Sequence, residues 1–298
     1  MKQELDGRVV FITGPARGIG AALARSLAAR GARLGLAGRE PEKLAALSAE
    51  LGPAHRWYEC DVTDAASLER AVRSTAEELG GIDVAVANAG IASHGTVAVT
   101  PMDAMARVID VNLTGVVRTV HAALPHLVAR RGYALLISSA AALAAMPGLA
   151  VYAAAKSGVE QFANALRLEL AHKGVAVGSA HPGWIETDLV RDARADLRSF
   201  DEMVRRLPPP FSSVTSVERC AAALTAGILG RKRKVFVPRS LGLASALRTL
   251  LTSPLADWVM RREMRSLLPV LEAEMAGLGR SFGASSVESR PEGGLSSR

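Results

Sequence analysis

The chain has 298 residues, 49% hydrophobic and 22% charged, which is enough apolar material for one sizeable α/β core and too little charge for a disordered chain. The net charge of +7 sits at one end: residues 1–227 carry 24 basic and 23 acidic side chains, residues 228–298 carry 12 and 6. A near-neutral body with 4% aromatics offers no stacking platform for nucleic acid, and two cysteines, Cys60 and Cys220, without metal-like spacing argue against a disulfide framework or a zinc site.

Lys2, Glu4 and Asp6 run directly into the apolar stretch Val9 to Ile12, leaving no room for a leader peptide, so a cytoplasmic protein is expected. Strands are predicted at Arg8–Thr13, Arg33–Ala37, His55–Cys60, Asp83–Ala87, Tyr133–Ser138, Val175–Ala180 and Lys234–Val237. Helical segments separate them: Ile19–Ala29, Glu42–Leu51, Ala65–Leu79, Met102–Arg130, Ala153–His172 and Val217–Leu229. The strands are mostly continuous apolar runs, as strands covered on both faces are, and the crossovers are long enough for parallel pairing. The predicted fold is therefore α/β, a doubly wound parallel sheet (Rossmann fold) of about seven strands over residues 1–238. A helical extension is expected over 239–280 and a disordered Ser/Gly/Pro-rich tail over 281–298. Gly132 to Ala155 is an uncharged run of membrane-span length, but Ser138, Ser139, Pro147, Gly148 and Tyr152 interrupt it, and it reads as strand, turn and helix.

At the first strand-to-helix turn stand Gly14, Pro15, Ala16, Arg17, Gly18, Ile19 and Gly20. Glycines there let the backbone approach a pyrophosphate, whose charge the helix N-terminus stabilises, although the spacing is GxxxGxG and a glycine triplet by itself is often only a tight turn. The end of the second strand reads Gly38-Arg39, with no carboxylate at position 38 to hold a ribose 2′-hydroxyl. Arg39, with Arg17, can clamp a 2′-phosphate, which predicts NADP(H); the plainer reading pairs Arg39 with Glu40 or Glu42.

Tyr152 and Lys156, four residues apart, share a helical face, where an ammonium beside a phenol favours the phenolate. Ser139 lies at the carboxyl end of a strand, where open parallel sheets place their ligand crevice. Thr13–Gly20, Asp61, Val62, Asn88, Ala89, Gly90, Asn112, Ser139, Tyr152, Lys156, Pro182, Gly183 and Thr187 resemble, in order and spacing, the single-domain short-chain dehydrogenase/reductase family over Gly7 to Leu229. The resemblance implies that Tyr152 is the acid/base group, that Ser139 holds the substrate oxygen, that Lys156 binds the nicotinamide ribose and depresses the tyrosine, and that Asn112 anchors a water in a proton relay. It implies also that Asp61 and Val62 contact adenine, that Asn88, Ala89 and Gly90 wall the adenosine ribose, and that Pro182, Gly183, Ile185 and Thr187 border the nicotinamide. No metal is required. Two departures stand out: Pro15 removes an N–H donor from the loop, and the usual short C-terminal ending is replaced by some 60 residues after Pro238, which puts the family's tetramer in doubt and favours a dimer among homo-oligomers.

Ala140, Leu143, Met146, Leu149, Trp184, Leu189 and Val190 are expected to border the crevice, under a mobile lid over about 191–213, though Leu143 and Leu189 read equally as core. The apolar lining suggests a steroid, retinoid or fatty ketone or secondary alcohol. In the extension, Ser253-Pro254 is a cap and first-turn pair, and Met260, Met264, Leu267, Leu268, Leu271 and Met275 share one face, with Pro269 kinking or restarting the helix. With Arg231, Lys232, Arg233 and Lys234 nearby, the segment suits an anionic membrane surface; closure over the pocket or a dimer contact is the slightly favoured alternative. The basic run and added helices are also similar to the hydroxysteroid and retinol dehydrogenase branches, several of which are membrane-associated. His181 is the histidine nearest the expected site. Against an NADP(H)-dependent enzyme stand a non-catalytic, redox-sensing NADP(H)-binding regulator, a class that commonly loses the tyrosine or lysine present here, and a basic membrane or nucleic-acid adaptor.

Overall fold

The computed structural model describes residues 4–284 and 286. Branched and aliphatic runs make the central strands apolar on both faces, and they are buried accordingly. The strands are β1 (Val9–Thr13), β2 (Arg33–Gly38), β3 (Arg56–Glu59), β4 (Val84–Ala87), β5 (Tyr133–Ile137), β6 (Ala176–Pro182), the short β7 (Trp184–Ile185) and β8 (Val214–Thr215), and β9 (Lys234–Val237). Seven form one sheet in the order β3-β2-β1-β4-β5-β6-β9, every neighbouring pair parallel, while β7 and β8 pair separately. All seven sheet strands fall within two residues of the sequence prediction at either end.

Helices α1 (Gly18–Ala28) and α2 (Pro41–Leu51) cover one face, joined there by α9 (Val217–Leu229); Leu23, Leu27, Leu44 and Leu224 form their shared core. The other face carries α3 (Ala65–Leu79), α5 (Gly115–Arg130) and α6 (Ala150–Glu169), packed through Leu68, Val72, Val120, Leu127 and Val159. The helix predicted over Met102–Arg130 is divided: α4 (Met102–Ile109) passes into one π-helical turn at Asp110–Thr114 before α5 begins. Between β1 and β4 the winding reverses, so the carboxyl ends of these two strands bound a crevice between loops that leave in opposite directions.

Beyond β6, α7 (Asp188–Asp196) and α8 (Phe200–Arg206) lie where the lid is expected from sequence. The extension folds as α10 (Leu241–Ala246), α11 (Arg248–Leu251), α12 (Pro254–Met264) and α13 (Leu268–Leu278). Ser253 caps α12 through Ala256 N at 3.3 Å, and Pro269 sits in the first turn of α13, restarting the helix. The predicted apolar face does turn inward. Met264 and Leu267 pack with Ala140, Met146, Leu207 and Phe211, and Leu271 and Met275 pack with Val190, Phe200 and Val204. Of the tail predicted over 281–298, Ser281 accepts a hydrogen bond from His94 N at 3.2 Å and Phe282 bridges to Ser93; residues 285 and 287–298 lie outside the described residues.

Leu271 is fully enclosed although it lies in the extension. Leu271→Ala is expected to cost about 2–5 kcal/mol in urea unfolding by leaving a cavity, whereas the exposed Leu255→Ala should stay within about 0.5 kcal/mol. Equal and small effects would show that the extension does not share the core.

Candidate active site

The crevice begins where β1 ends. Gly14 and Gly18 have positive φ, +66° and +54°, and a Cβ on Gly14 would meet Ala89 Cα at 2.8 Å. On Gly20 a Cβ would lie 2.5 Å from Gly14 O and 2.6 Å from Asn88 Nδ2. The loop is therefore packed to the limit of backbone contact, and only glycine fits. Asn88 holds it there by donating to Thr13 O (3.0 Å) and Gly14 O (2.9 Å), while the amides of Asn88 and Ala89 donate to Thr13 Oγ1. Asn88 thus braces the glycine loop, a role beyond the ribose wall that the resemblance implies. Pro15 is buried and does not line the crevice.

Arg17, Gly18, Ile19, Gly20, Arg39, Asp61, Val62 and Gly90 line the same end of the crevice. Its two guanidiniums are paired with carboxylates: Arg17 with Glu40 at 3.1 Å and Arg39 with Asp61 at 3.3 Å. Asp61 also accepts from Thr63 N and Oγ1, and Glu40 from Lys43 at 2.9 Å. Asp61 is thus a partner of Arg39.

At the other end, α6 presents Tyr152 and Lys156 on consecutive turns. Lys156 is buried, its Nζ donating to Ile137 O at 2.9 Å and standing 5.7 Å from the Tyr152 ring centroid. Ser139 Oγ accepts from Ala141 N at 3.1 Å. Asn112, in the π-helical turn, is closed on the main chain of Ile91 through both side-chain ends, at 3.0 and 2.7 Å. A Cβ on Gly90 would lie 2.8 Å from Asn112 Oδ1 and 3.5 Å from Lys156 Nζ, so both polar groups converge on that glycine. Burial pushes the Lys156 ammonium down to about 8, and burial raises the Tyr152 phenol while its hydrogen bond with Ser139 pulls it down. The sequence reading expects the lysine to lower the tyrosine. In this structure the influence opposing desolvation is the Ser139 hydrogen bond, and the ammonium is engaged by Ile137 O.

Pro182, Gly183, Ile185 and Thr187 continue the wall, and Thr187 packs against the glycine loop: a Cβ on Gly18 would touch its Cγ2 at 3.3 Å. Every site residue chosen from sequence borders this one crevice, of about 310 Å³. Its outer part is apolar, with Met146, Leu149, Trp184, Leu189 and Val190 as expected. Leu143 is the correction: it is enclosed in the core under the 140–142 turn and does not face the crevice. His94, Phe200, Met203, Phe211 and Leu271 also line it: Phe200, Met203 and Phe211 come from the segment expected as a lid, Leu271 from the extension, and His94 is not expected there from sequence. A glycine cradle, an N-terminal helix end and two guanidiniums at one end of a long crevice fit a dinucleotide.

His181 does not enter the crevice. It is fully buried behind Ser139, with Nδ1 donating to Ser139 O at 3.3 Å and Nε2 accepting from Ser179 Oγ at 3.0 Å, its ring stacked on Phe236 at 5.1 Å. Nearby Glu160 binds Lys234 at 2.6 Å and Arg248 at 3.0 Å.

A family model described as short chain dehydrogenase matches residues 8–198. An uncharacterized oxidoreductase of Myxococcus xanthus is 33% identical over 264 residues, 87% of this chain and 98% of that protein. A 3-alpha-(or 20-beta)-hydroxysteroid dehydrogenase of Mycobacterium tuberculosis is 36% identical over 63% of this chain and 73% of its own. Glycine betaine reductase ATRR of Emericella nidulans is 39% identical over 63% of this chain, and the chain spans 15% of the length of that relative. The crystal structure of gox2181 superposes with a TM-score of 0.72 at 27% identity, over 80% of this chain and 97% of that one.

Burial holds His181 near about 4, against an ordinary 6.5. Between those values the unfolded chain binds a proton that the folded chain refuses, so this group lowers stability as pH falls through that window. Melting temperature is expected to drop from pH 7 to 5, and less steeply in His181→Gln; parallel curves would refute the assignment.

Proposed function

Because this chain belongs to the short-chain dehydrogenase family, we propose that it is an NADP(H)-dependent oxidoreductase interconverting a lipophilic ketone and the corresponding secondary alcohol. The observation that carries the reading is the single crevice with Ser139, Tyr152 and Lys156 at one end and Arg17 and Arg39 at the other. When bound, the nicotinamide supplies the hydride for reduction or accepts it for oxidation. Ser139 Oγ and the Tyr152 hydroxyl bond the substrate oxygen, and Tyr152 delivers its proton to that oxygen in reduction and recovers it in oxidation. Lys156, desolvated and close to neutral pH in its titration, responds to a change of charge on the phenol beside it. Asn112 fixes the Ile91 main chain and so the Gly90 wall on which Lys156 converges.

NADP(H) over NAD(H) is supported by Gly38 at the end of β2 and by the two arginines there. Each is paired with a neighbouring carboxylate, Glu40 or Asp61. A 2′-phosphate offers either guanidinium a stronger bidentate partner, and Lys43 remains to neutralise Glu40. The lipophilic substrate class is supported by the aromatic and aliphatic lining contributed by Trp184, Phe200, Phe211 and Leu271, and by the similarity to a relative named as a hydroxysteroid dehydrogenase.

The test is loss of reduced-nicotinamide absorbance with NADPH and NADH against steroid, retinoid and aliphatic carbonyls. Turnover is expected with NADPH, falling about 10²–10⁴-fold in Tyr152→Phe, and Arg39→Asp should shift preference toward NADH. NADPH binding without turnover across the panel would favour the regulator instead, and an unchanged preference in Arg39→Asp would refute the arginine clamp.

A further inference from the structure

The extension has an outward side that the core does not use. Leu243 on α10, Leu250 on α11 and Leu247 at the junction between them are exposed. On α12, where Met260 and Met264 turn inward, Leu255, Trp258 and Val259 are exposed, with Leu255 at 70% and Trp258 at 59%. Arginines accompany them: Arg239, Arg261, Arg262 and Arg265 are exposed, and their side chains make no ion pair or hydrogen bond with another of the described residues. Between residues 239 and 265 the only acidic side chains are Asp257 and Glu263.

Leucines and a tryptophan left in water on successive helices mark an interaction surface. The charge decides its occupant. A second copy docking by two-fold symmetry would set this arginine-rich face against itself, with few carboxylates to answer it. An anionic lipid surface answers both parts: phosphate headgroups meet the guanidiniums, while leucine and tryptophan enter the boundary with the acyl chains, where tryptophan is favoured. We propose that α10–α12 forms a docking face for an anionic bilayer surface. The contact lies along the surface; among the described residues no helix is long and apolar enough to cross a membrane. α13 follows directly and lines the crevice through Leu271. The inference stands on these exposed residues and does not depend on the substrate assignment.

The full chain would be floated with phosphatidylcholine vesicles, with and without phosphatidylglycerol, while light scattering reports its mass. Expected is binding to the phosphatidylglycerol vesicles alone, weakened by salt and abolished in Leu255→Glu/Trp258→Glu. Arg261→Gln and Arg262→Gln should each weaken it about fivefold. All four positions are exposed, so melting temperature should stay unchanged and separates lost docking from lost folding. Absence of binding, equal binding to both vesicle types, or binding indifferent to these variants would overturn the proposal. So would a dimer that the glutamate variant converts to a monomer without any lipid binding by the parent chain.

Discussion

Between the carboxyl ends of β1 and β4 there is no space for a side chain, and the architecture of the site follows from that. Gly14 lies against the backbone of Ala89, and Gly20 lies against Gly14 O and the Asn88 amide. Thr13 and Asn88 fasten the two strand ends across this contact, which satisfies polar groups that the close approach would otherwise strand. With the strands locked at the switch point, α1 starts with its N-terminal end at the crevice, and β5 and β6 deliver Ser139 and Pro182 to the same rim. The distance between the glycine loop and the reacting group is thus a property of the sheet.

The second constraint is the burial of Lys156. An ammonium held among apolar atoms is costly, and its hydrogen bond to Ile137 O offsets part of that cost. The same bond ties α6 to the end of β5, as does Ser138 Oγ donating to Lys156 O at 2.7 Å. Tyr152 is consequently carried on a helix anchored beneath it on both sides of one residue, which suits a group that must meet a reacting oxygen repeatedly in one geometry.

Most of the sheet was legible because burial on both faces writes itself as unbroken apolar runs, and β1, β4 and β5 are of that kind. The crevice residues were legible because they stand at strand ends or, like Tyr152 and Lys156, one helical turn apart, in recognisable spacing. Other features were less so. The π-helical turn around Asn112 leaves no mark in a continuous helical pattern, since one extra residue in a turn changes no residue type. Leu143 reads equally as pocket and as core, and the 140–142 turn carries it inward. A cover over 191–213 and closure of the extension over the pocket are read from sequence, but the way α8 and α13 meet depends on contacts between segments some 70 residues apart, such as Ser199 Oγ with Glu274 at 2.6 Å, for which local pattern carries no signal.

Glu160 gives the extension a significance that its position at the end of the chain conceals. This one carboxylate, on the helix that bears Tyr152, is shared by Lys234 of the sheet and Arg248 of α11, with His181 at 4.0 Å. A chain shortened before Leu241 would not be a minimal version of the same protein. It would uncover Met146 and Phe211, strip one cation from a buried anion, and disturb the charge balance beside the imidazole that holds Ser139. The added helices are therefore integral to the frame of the crevice, and the shorter architecture cannot be recovered from this sequence by trimming.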